Sequence, residues 1–138
     1  MGFFDWFSPP KPPLVIIIRN VLGEEIDRVE GARDLWGDVD LRGRQWAHAD
    51  LAGLWLDGAD CEGVNLFGAR LVNTSFARCN LKNANLAYAR IEGASFRQAD
   101  LEGADLLYTD IKRARFDGAM IGPTTTIPGI YACGRREW

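Results

Sequence analysis

The chain has 138 residues, of which 47% are hydrophobic and 25% charged, and its formal net charge is −3 at pH 7. A chain of this length and composition folds as one small domain with its own core, which excludes a wholly disordered protein. The mild charge, without any block of like sign, argues against direct nucleic-acid binding. The longest aliphatic run, Leu14 to Ile18, is far shorter than the roughly 20 residues that span a bilayer.

Residues 1–13 form an N-terminal segment rich in aromatic residues and proline, with Phe3, Phe4, Trp6 and Phe7 before two Pro-Pro pairs. It has neither a basic start nor a continuous apolar stretch before a cleavage site, so it does not read as a secretory signal. The cysteines are odd in number and lack metal-type spacing, which favours a reducing compartment. We therefore expect a cytoplasmic protein.

Residues 14–38 are predicted to form a β-hairpin and an N-terminal cap. The stretch LVIIIRNVLGEEIDRV reads as two short strands around a turn between Asn20 and Glu25.

Large apolar residues recur every five positions from Leu41 to Ile121, a period that belongs to neither a helix nor a strand. A residue that is usually small stands two positions before each of them, with Asp or Asn often in between. Gly often stands two positions after the large residue. The stretches ADLAG, ANLAY, ADLEG and ADLLY show this consensus. A repeat without interruption indicates a solenoid.

With this consensus over residues 39–122, the chain resembles the pentapeptide-repeat proteins. The resemblance implies an all-β fold, a right-handed four-sided parallel β-helix (solenoid) with one pentapeptide per side and about four coils, and a bacterial or phage origin. The residue pattern agrees with this fold, because a small and a large side chain two positions apart both point inward from an extended segment. Gly at the corners accommodates positive φ.

Both ends of a solenoid expose backbone and core, so we expect them to be capped. The hairpin is predicted to lie against the first coil. Trp36, Arg44 and Trp46 break the small-and-large pattern, which fits an enlarged first coil that meets this cap. Residues 123–138 leave the register and are predicted to form a short C-terminal cap.

Outward positions twenty residues apart stack into columns on the coil surface. On one side, Phe67, Tyr88, Leu107 and Tyr108 are predicted to form an exposed apolar patch and a candidate protein interface. The alternative is that a terminal segment of the chain covers this patch. Trp55, which points outward on another side, is a further candidate for a protein interface, and the aromatic N-terminus is an equally good candidate to cover it.

A second column contains Asp40, Asp60 and Asp100 and is a candidate acidic site without basic residues of its own. The family resemblance implies one function for such a surface, which is mimicry of DNA in the binding site of a type II topoisomerase such as gyrase. Duplex DNA has about one charge per 1.7 Å. Residues 38–122 contain 12 acidic and 10 basic side chains, so the near-balanced charge disfavours this function.

No catalytic, cofactor-binding or metal site is predicted. His48 is the only histidine, and the motifs of phosphate-binding loops, serine hydrolases and zinc proteases do not occur. Cys61 and Cys79 are expected to lie close together as small core residues. The cluster of Arg78, Arg97 and Arg115 is read as a solvated face.

These patterns favour a non-enzymatic protein-protein interaction module that uses rigid faces and capped ends. Its partner is an unidentified protein or a second copy of the chain. Two alternatives are DNA mimicry and peripheral membrane attachment through the aromatic N-terminus, which lacks the Lys and Arg residues that support such attachment.

Overall fold

The computed structural model describes residues 14–31 and 39–128. Two antiparallel strands come first, β1 (Leu14–Asn20) and β2 (Glu25–Gly31). Asn20 holds the turn between them, because its side-chain oxygen accepts hydrogen bonds from the N–H groups of Leu22 and Glu24 at 3.0 and 2.9 Å. Asn favours turns for this reason. The predicted hairpin is confirmed.

Residues 39–121 wind into a four-sided parallel β-helix. Single β-bridges join residues twenty positions apart, as between Asp40 and Asp60 and between Asp60 and Asn80. We number the sides by their large inward residues. Side 1 has Leu41, Cys61, Leu81 and Leu101; side 2 has Trp46, Leu66, Leu86 and Leu106; side 3 has Leu51, Leu71 and Ile91; side 4 has Leu56, Phe76, Phe96 and Phe116.

The core is a narrow column in which identical positions of successive coils stack on one another. On side 4, Phe96 lies between Phe76 and Phe116 in a parallel stack with centroid distances of 5.4 and 5.1 Å. Small residues face these large ones and are completely buried, as Ala59 is. The buried hydroxyl of Thr74 donates to the carbonyl of Leu51 at 2.8 Å, so this polar group in the core has a partner. The alternation of size that the sequence shows is therefore the packing rule of the core.

The regular corners are tight turns whose third residue has positive φ. In the first coil, at the corner that ends side 2, the N–H of Ala49 donates to the carbonyl of Trp46 at 3.0 Å, and His48 has φ of 59°. Gly adopts this conformation without steric cost. The Asp or Asn before each large residue also belongs to the turn, since Asp60 accepts from the N–H of Glu62 and Asn65 from the N–H of Phe67. The polar consensus position thus has a structural role.

The hairpin caps the first coil. Strand β1 pairs antiparallel with the short strand β3 (Ala49–Asp50), and the N–H of Val21 donates to the carbonyl of His48 at 2.9 Å. Ile18 and Val29 extend the core into the hairpin. The predicted contact between the hairpin and the first coil is confirmed.

Asp27 of β2 fastens the cap to the coil. Its carboxylate accepts two hydrogen bonds from Nη1 of Arg44, both at 3.0 Å, and one from Nε1 of Trp46 at 2.7 Å. Burial by itself raises the pKa of Asp27, but the hydrogen bonds from Trp46 and from the N–H of Arg28, with the charge of Arg44, outweigh it, and the pKa is lowered. Arg44 and Trp46 therefore break the core pattern because they meet the cap, as predicted. Trp36 lies outside the described residues.

The coils become irregular toward the C-terminus. A 3-10 turn (Ile111–Arg113) replaces a regular corner of side 3, and the carboxylate of Asp110 accepts from the N–H of Lys112 at its start. The predicted register continues past this turn, because Ser95 pairs with Arg115 and Asp100 with Met120. One residue is then inserted, because Asp105 pairs with Thr126 rather than with position 125. Ile127 is buried against the last coil, as expected of a cap, and residues 129–138 lie outside the described part.

We expect Asp27→Asn to loosen the cap and to lower the free energy of unfolding at pH 7 by about 1–3 kcal/mol, because the charge-assisted bonds to Arg44 and Trp46 are lost. A carboxylate with a lowered pKa contributes its full stabilisation above its unfolded pKa of about 4 and loses it as the pH falls through the lower pKa of the folded state. Urea unfolding should therefore show a difference between wild type and variant that shrinks from pH 6 to pH 3. Glu30→Gln, on the exposed face of the same strand, is the control and should have little effect at either pH. A difference that does not change with pH would contradict the role of the charge.

Candidate functional site

An aromatic ladder runs along the outside of side 2. It consists of His48, Phe67, Tyr88 and Tyr108, one residue from each successive coil. The His48 ring meets Phe67 edge-on at 5.7 Å, Phe67 is tilted against Tyr88 at 5.3 Å, and Tyr88 stacks on Tyr108 at 4.5 Å with 19° between the ring planes. These are favourable arrangements for aromatic pairs. The ladder is a continuous strip of ring surface parallel to the axis of the coils.

The backbone of the ladder is strained at its corner residues. His48, Tyr88 and Tyr108 have φ of 59°, 60° and 60°, where Gly is the usual residue. The fourth residue of this corner column is Gly68, and the His48 ring lies over it. A Cβ built on Gly68 would be 2.6 Å from Nδ1 of His48, so only Gly leaves room for the ring.

Much of the ladder is exposed. The side chains of Tyr88 and Tyr108 are 52% and 67% exposed, while Phe67 and Leu107 are half-buried. The structure thus brings together the apolar patch that the sequence predicted on this side. His48, which the sequence analysis gave no binding role, is part of it, and its place in the same twenty-residue column was the available signal.

Trp55 lies apart from the ladder, on side 4. Its side chain is 73% exposed, and its neighbour in the next coil is Ser75. The predicted interface residues therefore fall on two sides of the solenoid that face away from each other.

The acidic column on side 1 is largely neutralised by its neighbours. Nη2 of Arg42 is 2.8 Å from Asp40, and its Nε is 3.8 Å from Asp60. Nζ of Lys82 is 3.5 Å from Asp100. The side-chain hydrogen bond from Arg42 holds the pKa of the Asp40 carboxyl well below its usual range. The column lacks basic residues of its own, as predicted, but the adjacent column supplies them.

The described residues offer little for catalysis. Residues 14–31 and 39–128 contain no group of three or more His, Cys, Asp or Glu side chains arranged for a metal ion. Cys61 and Cys79 are buried and reduced, and Cys79 hydrogen-bonds the carbonyl of Leu56 at 2.9 Å. The hydrogen bond with Cys79, together with burial, raises the pKa of the Cys61 thiol, which keeps it unreactive. The same part of the chain has no helix with the length and apolar character needed to cross a membrane.

A model of pentapeptide repeats matches the chain at residues 47–83 and 79–118, with 8 copies of the repeat, and together these matches cover more than half of the sequence. The chain belongs to the pentapeptide repeat family. Its members form right-handed four-sided β-helices, so the predicted family and the predicted all-β fold are both confirmed.

Solved structures of other pentapeptide repeat proteins are similar to this one. HetL, which is involved in heterocyst differentiation regulation in the cyanobacterium Nostoc sp. strain PCC 7120, matches with a TM-score of 0.54 and 30% identity over 62% of this chain and 42% of HetL. A protein from the Arabidopsis thaliana thylakoid lumen has a TM-score of 0.30 and 22% identity, over 58% of this chain and 59% of that one. QnrB1, a plasmid-mediated fluoroquinolone resistance protein, has a TM-score of 0.33 and 14% identity, over 56% and 37% of the two chains.

The chain therefore spans less than half the length of HetL. No curated protein sequence matches it.

We expect Gly68→Ala to push the His48 ring off the ladder. Gly63→Ala is the matched control, because Gly63 has nearly the same φ, 67° against 63°, but nothing lies within 4 Å of its added Cβ. Both variants should lose about 1 kcal/mol in urea unfolding from backbone strain. Only Gly68→Ala should also shift the NMR resonances of the His48 and Phe67 rings. Equal spectra for the two variants would show that His48 does not occupy the space above Gly68.

Proposed function

We propose that this pentapeptide repeat protein is a non-enzymatic protein-protein interaction module, whose docking surface is the aromatic ladder together with Leu107. The observation that carries the proposal is the exposure of Tyr88 and Tyr108 at corners with positive φ. The partner is another protein or a second copy of the chain. We place this function in the cytoplasm.

The strain at these corners supports a role in binding. A residue other than Gly in the left-handed region costs about 1–2 kcal/mol. The stacking of Tyr88 on Tyr108 stabilises the fold by about 0.5–1.5 kcal/mol, which roughly offsets the strain at one of the two residues. Stability alone therefore does not account for two tyrosines here. Contact with a partner does, since exposed aromatic residues contribute strongly to protein interfaces.

The rigidity of the surface also suits binding. The backbone under the ladder is tied to the next coil at each step, for example from the N–H of Tyr88 to the carbonyl of Leu107 at 2.9 Å. A partner therefore meets aromatic side chains that are already in place, which reduces the entropy lost on association. HetL is involved in the regulation of a differentiation process, and an interaction module is suited to regulation of that kind.

Charge disfavours DNA mimicry as the function. Residues 38–122 have a net charge of only −2, from 12 acidic and 10 basic side chains, and Arg42 and Lys82 lie against the acidic column. Peripheral membrane attachment depends on residues 1–13, which lie outside the described residues, as does the alternative that this segment covers the patch.

The double variant Tyr88→Gly, Tyr108→Gly separates binding from stability. Gly relieves the strain at both corners, so the melting temperature should stay within a few degrees of wild type, while binding should fall at least about tenfold. Sedimentation velocity would measure self-association, and affinity purification from the source cells with quantitative mass spectrometry would measure partner capture.

The control is Asn83→Gly, which changes another corner with positive φ, on side 1, and should leave binding unchanged. Phe67→Glu with Leu107→Glu places charge on the same surface and should also abolish binding. The proposal is wrong if the wild type is monomeric and captures the same proteins as the double tyrosine variant.

Supercoiling by gyrase provides a test between the two functions. We expect micromolar protein to leave supercoiling unaffected, because the acidic column is neutralised. Inhibition that disappears in the variant Asp40→Asn, Asp60→Asn, Asp100→Asn would instead establish DNA mimicry.

A further inference from the structure

Side 4, which faces away from the aromatic ladder, has a shallow polar groove. The groove has a volume of about 280 Å³ and is lined by Asp57, Ala77, Arg78, Arg97 and Gln98. None of these residues takes part in the proposed docking surface on side 2. The groove is therefore a surface separate from the aromatic ladder.

An outward column of side 4 runs beside the groove, since Ser75 of this column donates a hydrogen bond to Asp57 of the lining. The column begins with Trp55, continues with Ser75 and Ser95, and ends with Arg115, and bridges join each of them to the next. The two middle coils thus present small residues between two large ones. A backbone can approach the solenoid closely over these serines, whereas the ends of the column project.

The groove has an excess of positive charge. Arg97 and Arg115 share one carboxylate, since their Nε atoms are 3.7 and 3.5 Å from Asp117. Asp57, the other carboxylate, accepts a hydrogen bond from the hydroxyl of Ser75. Arg78 lies beside Arg97, because the backbone N–H of Arg78 donates to the carbonyl of Arg97 at 2.8 Å. Within residues 14–31 and 39–128, the guanidinium of Arg78 forms no ion pair. The lining of the groove therefore has two guanidinium groups and one carboxylate, and the adjacent pair of Arg115 and Asp117 adds one charge of each sign.

The position of Arg78 adds to this observation. Arg78 has φ of 58° at a corner, and the preceding corner of the same column is Gly58 with φ of 77°. The long cationic side chain is therefore held at the edge of the groove at a cost in backbone strain. No carboxylate among the described residues forms an ion pair with Arg78 that would offset this strain.

Trp55 provides an apolar platform at the N-terminal end of the column. It is 73% exposed and lies one strand spacing from Ser75. Tryptophan offers a large, rigid surface for an apolar side chain, and the arginines beyond the serines offer planar donors that match a carboxylate.

We propose that side 4 binds an acidic peptide segment of a partner protein, which lies along the solenoid axis with an apolar residue on Trp55 and an acidic residue between Arg78 and Arg97. Adjacent coils are about 4.8 Å apart, so along the axis Trp55 and the coil of Arg97 are separated by about 10 Å. An extended peptide advances about 3.3 Å per residue and covers this distance in about three residues. The recognised pattern is therefore an apolar residue followed about three positions later by Asp or Glu.

An array of immobilised synthetic hexapeptides tests this pattern directly. Each peptide has one Leu and one Glu in a Gly and Ser background, with the spacing between them varied, and matched sets replace Glu with Gln or Lys. The full-length protein should bind the Glu peptides at least about tenfold more strongly than the Gln peptides, with the best spacing near three residues. Binding should weaken as the salt concentration rises from about 0.05 to about 0.5 M.

Two groups of variants assign the binding to side 4. Arg78→Gly, which also relieves the corner, and Arg97→Gln should each reduce binding about tenfold, and Trp55→Ala should remove the preference for Leu without removing the preference for Glu. Arg90→Gln is the control, because Arg90 is an exposed arginine of side 3, 3.7 Å from Glu92. Circular dichroism would verify that every variant is folded.

Two results would overturn the proposal: equal binding of the Glu, Gln and Lys peptides, or unchanged binding after the Arg78 and Arg97 substitutions. A third result, self-association of the wild type that is lost in Arg78→Gly, would assign the groove to a second copy of the chain and would also overturn it. The tyrosine variants of side 2 should bind these peptides normally, so failure of the two proposals can be told apart.

Discussion

The backbone hydrogen bonds between residues twenty positions apart are the interaction on which the whole molecule depends. They require each coil to contain the same number of residues and each corner to turn in the same way. One consequence is that every regular corner needs a residue that accepts positive φ. Another is that each inward position lies directly over the same position in the next coil, which gives a core such as the stack of Phe76, Phe96 and Phe116. Core, corners and outer columns all follow from one register.

This constraint also determines where the protein has freedom to acquire a function. The inward residues are fixed by packing, and the Asp and Asn residues of the consensus hold turns. Only the outward and corner positions are free to vary, and on sides 2 and 4 some corners hold Tyr88, Tyr108 and Arg78 in place of Gly. The two proposed surfaces share this origin but differ in chemistry, since one is a strip of rings and the other is a basic groove beside a single Trp. A rod with two unlike faces is suited to bringing two proteins together.

The sequence was sufficient to predict the fold, because a period of five with a small and a large residue in each unit is compatible with few structures. It also placed Phe67, Tyr88 and Tyr108 on one face, since residues twenty apart must stack. It did not reveal the 3-10 turn at Ile111, where the N–H of Arg113 donates to the carbonyl of Asp110 at 3.2 Å. Nor did it reveal that Asp27 binds Arg44 and Trp46, because that contact joins segments with no common repeat. Features that repeat every five or twenty residues could therefore be predicted from the sequence, whereas contacts that break the repeat could not.

The corners also limit how the protein can change. Seven residues other than Gly have positive φ in the described part, and each of them draws on the same total stability, which for a small domain is about 5–15 kcal/mol. In a solenoid that stability grows with the number of stacked repeats, because each new coil adds an interface with its neighbour. A short solenoid can therefore tolerate only a few corner residues other than Gly, whereas a longer member of the family can tolerate more. The length of a pentapeptide repeat protein thus limits how many of its corners can carry side chains for binding.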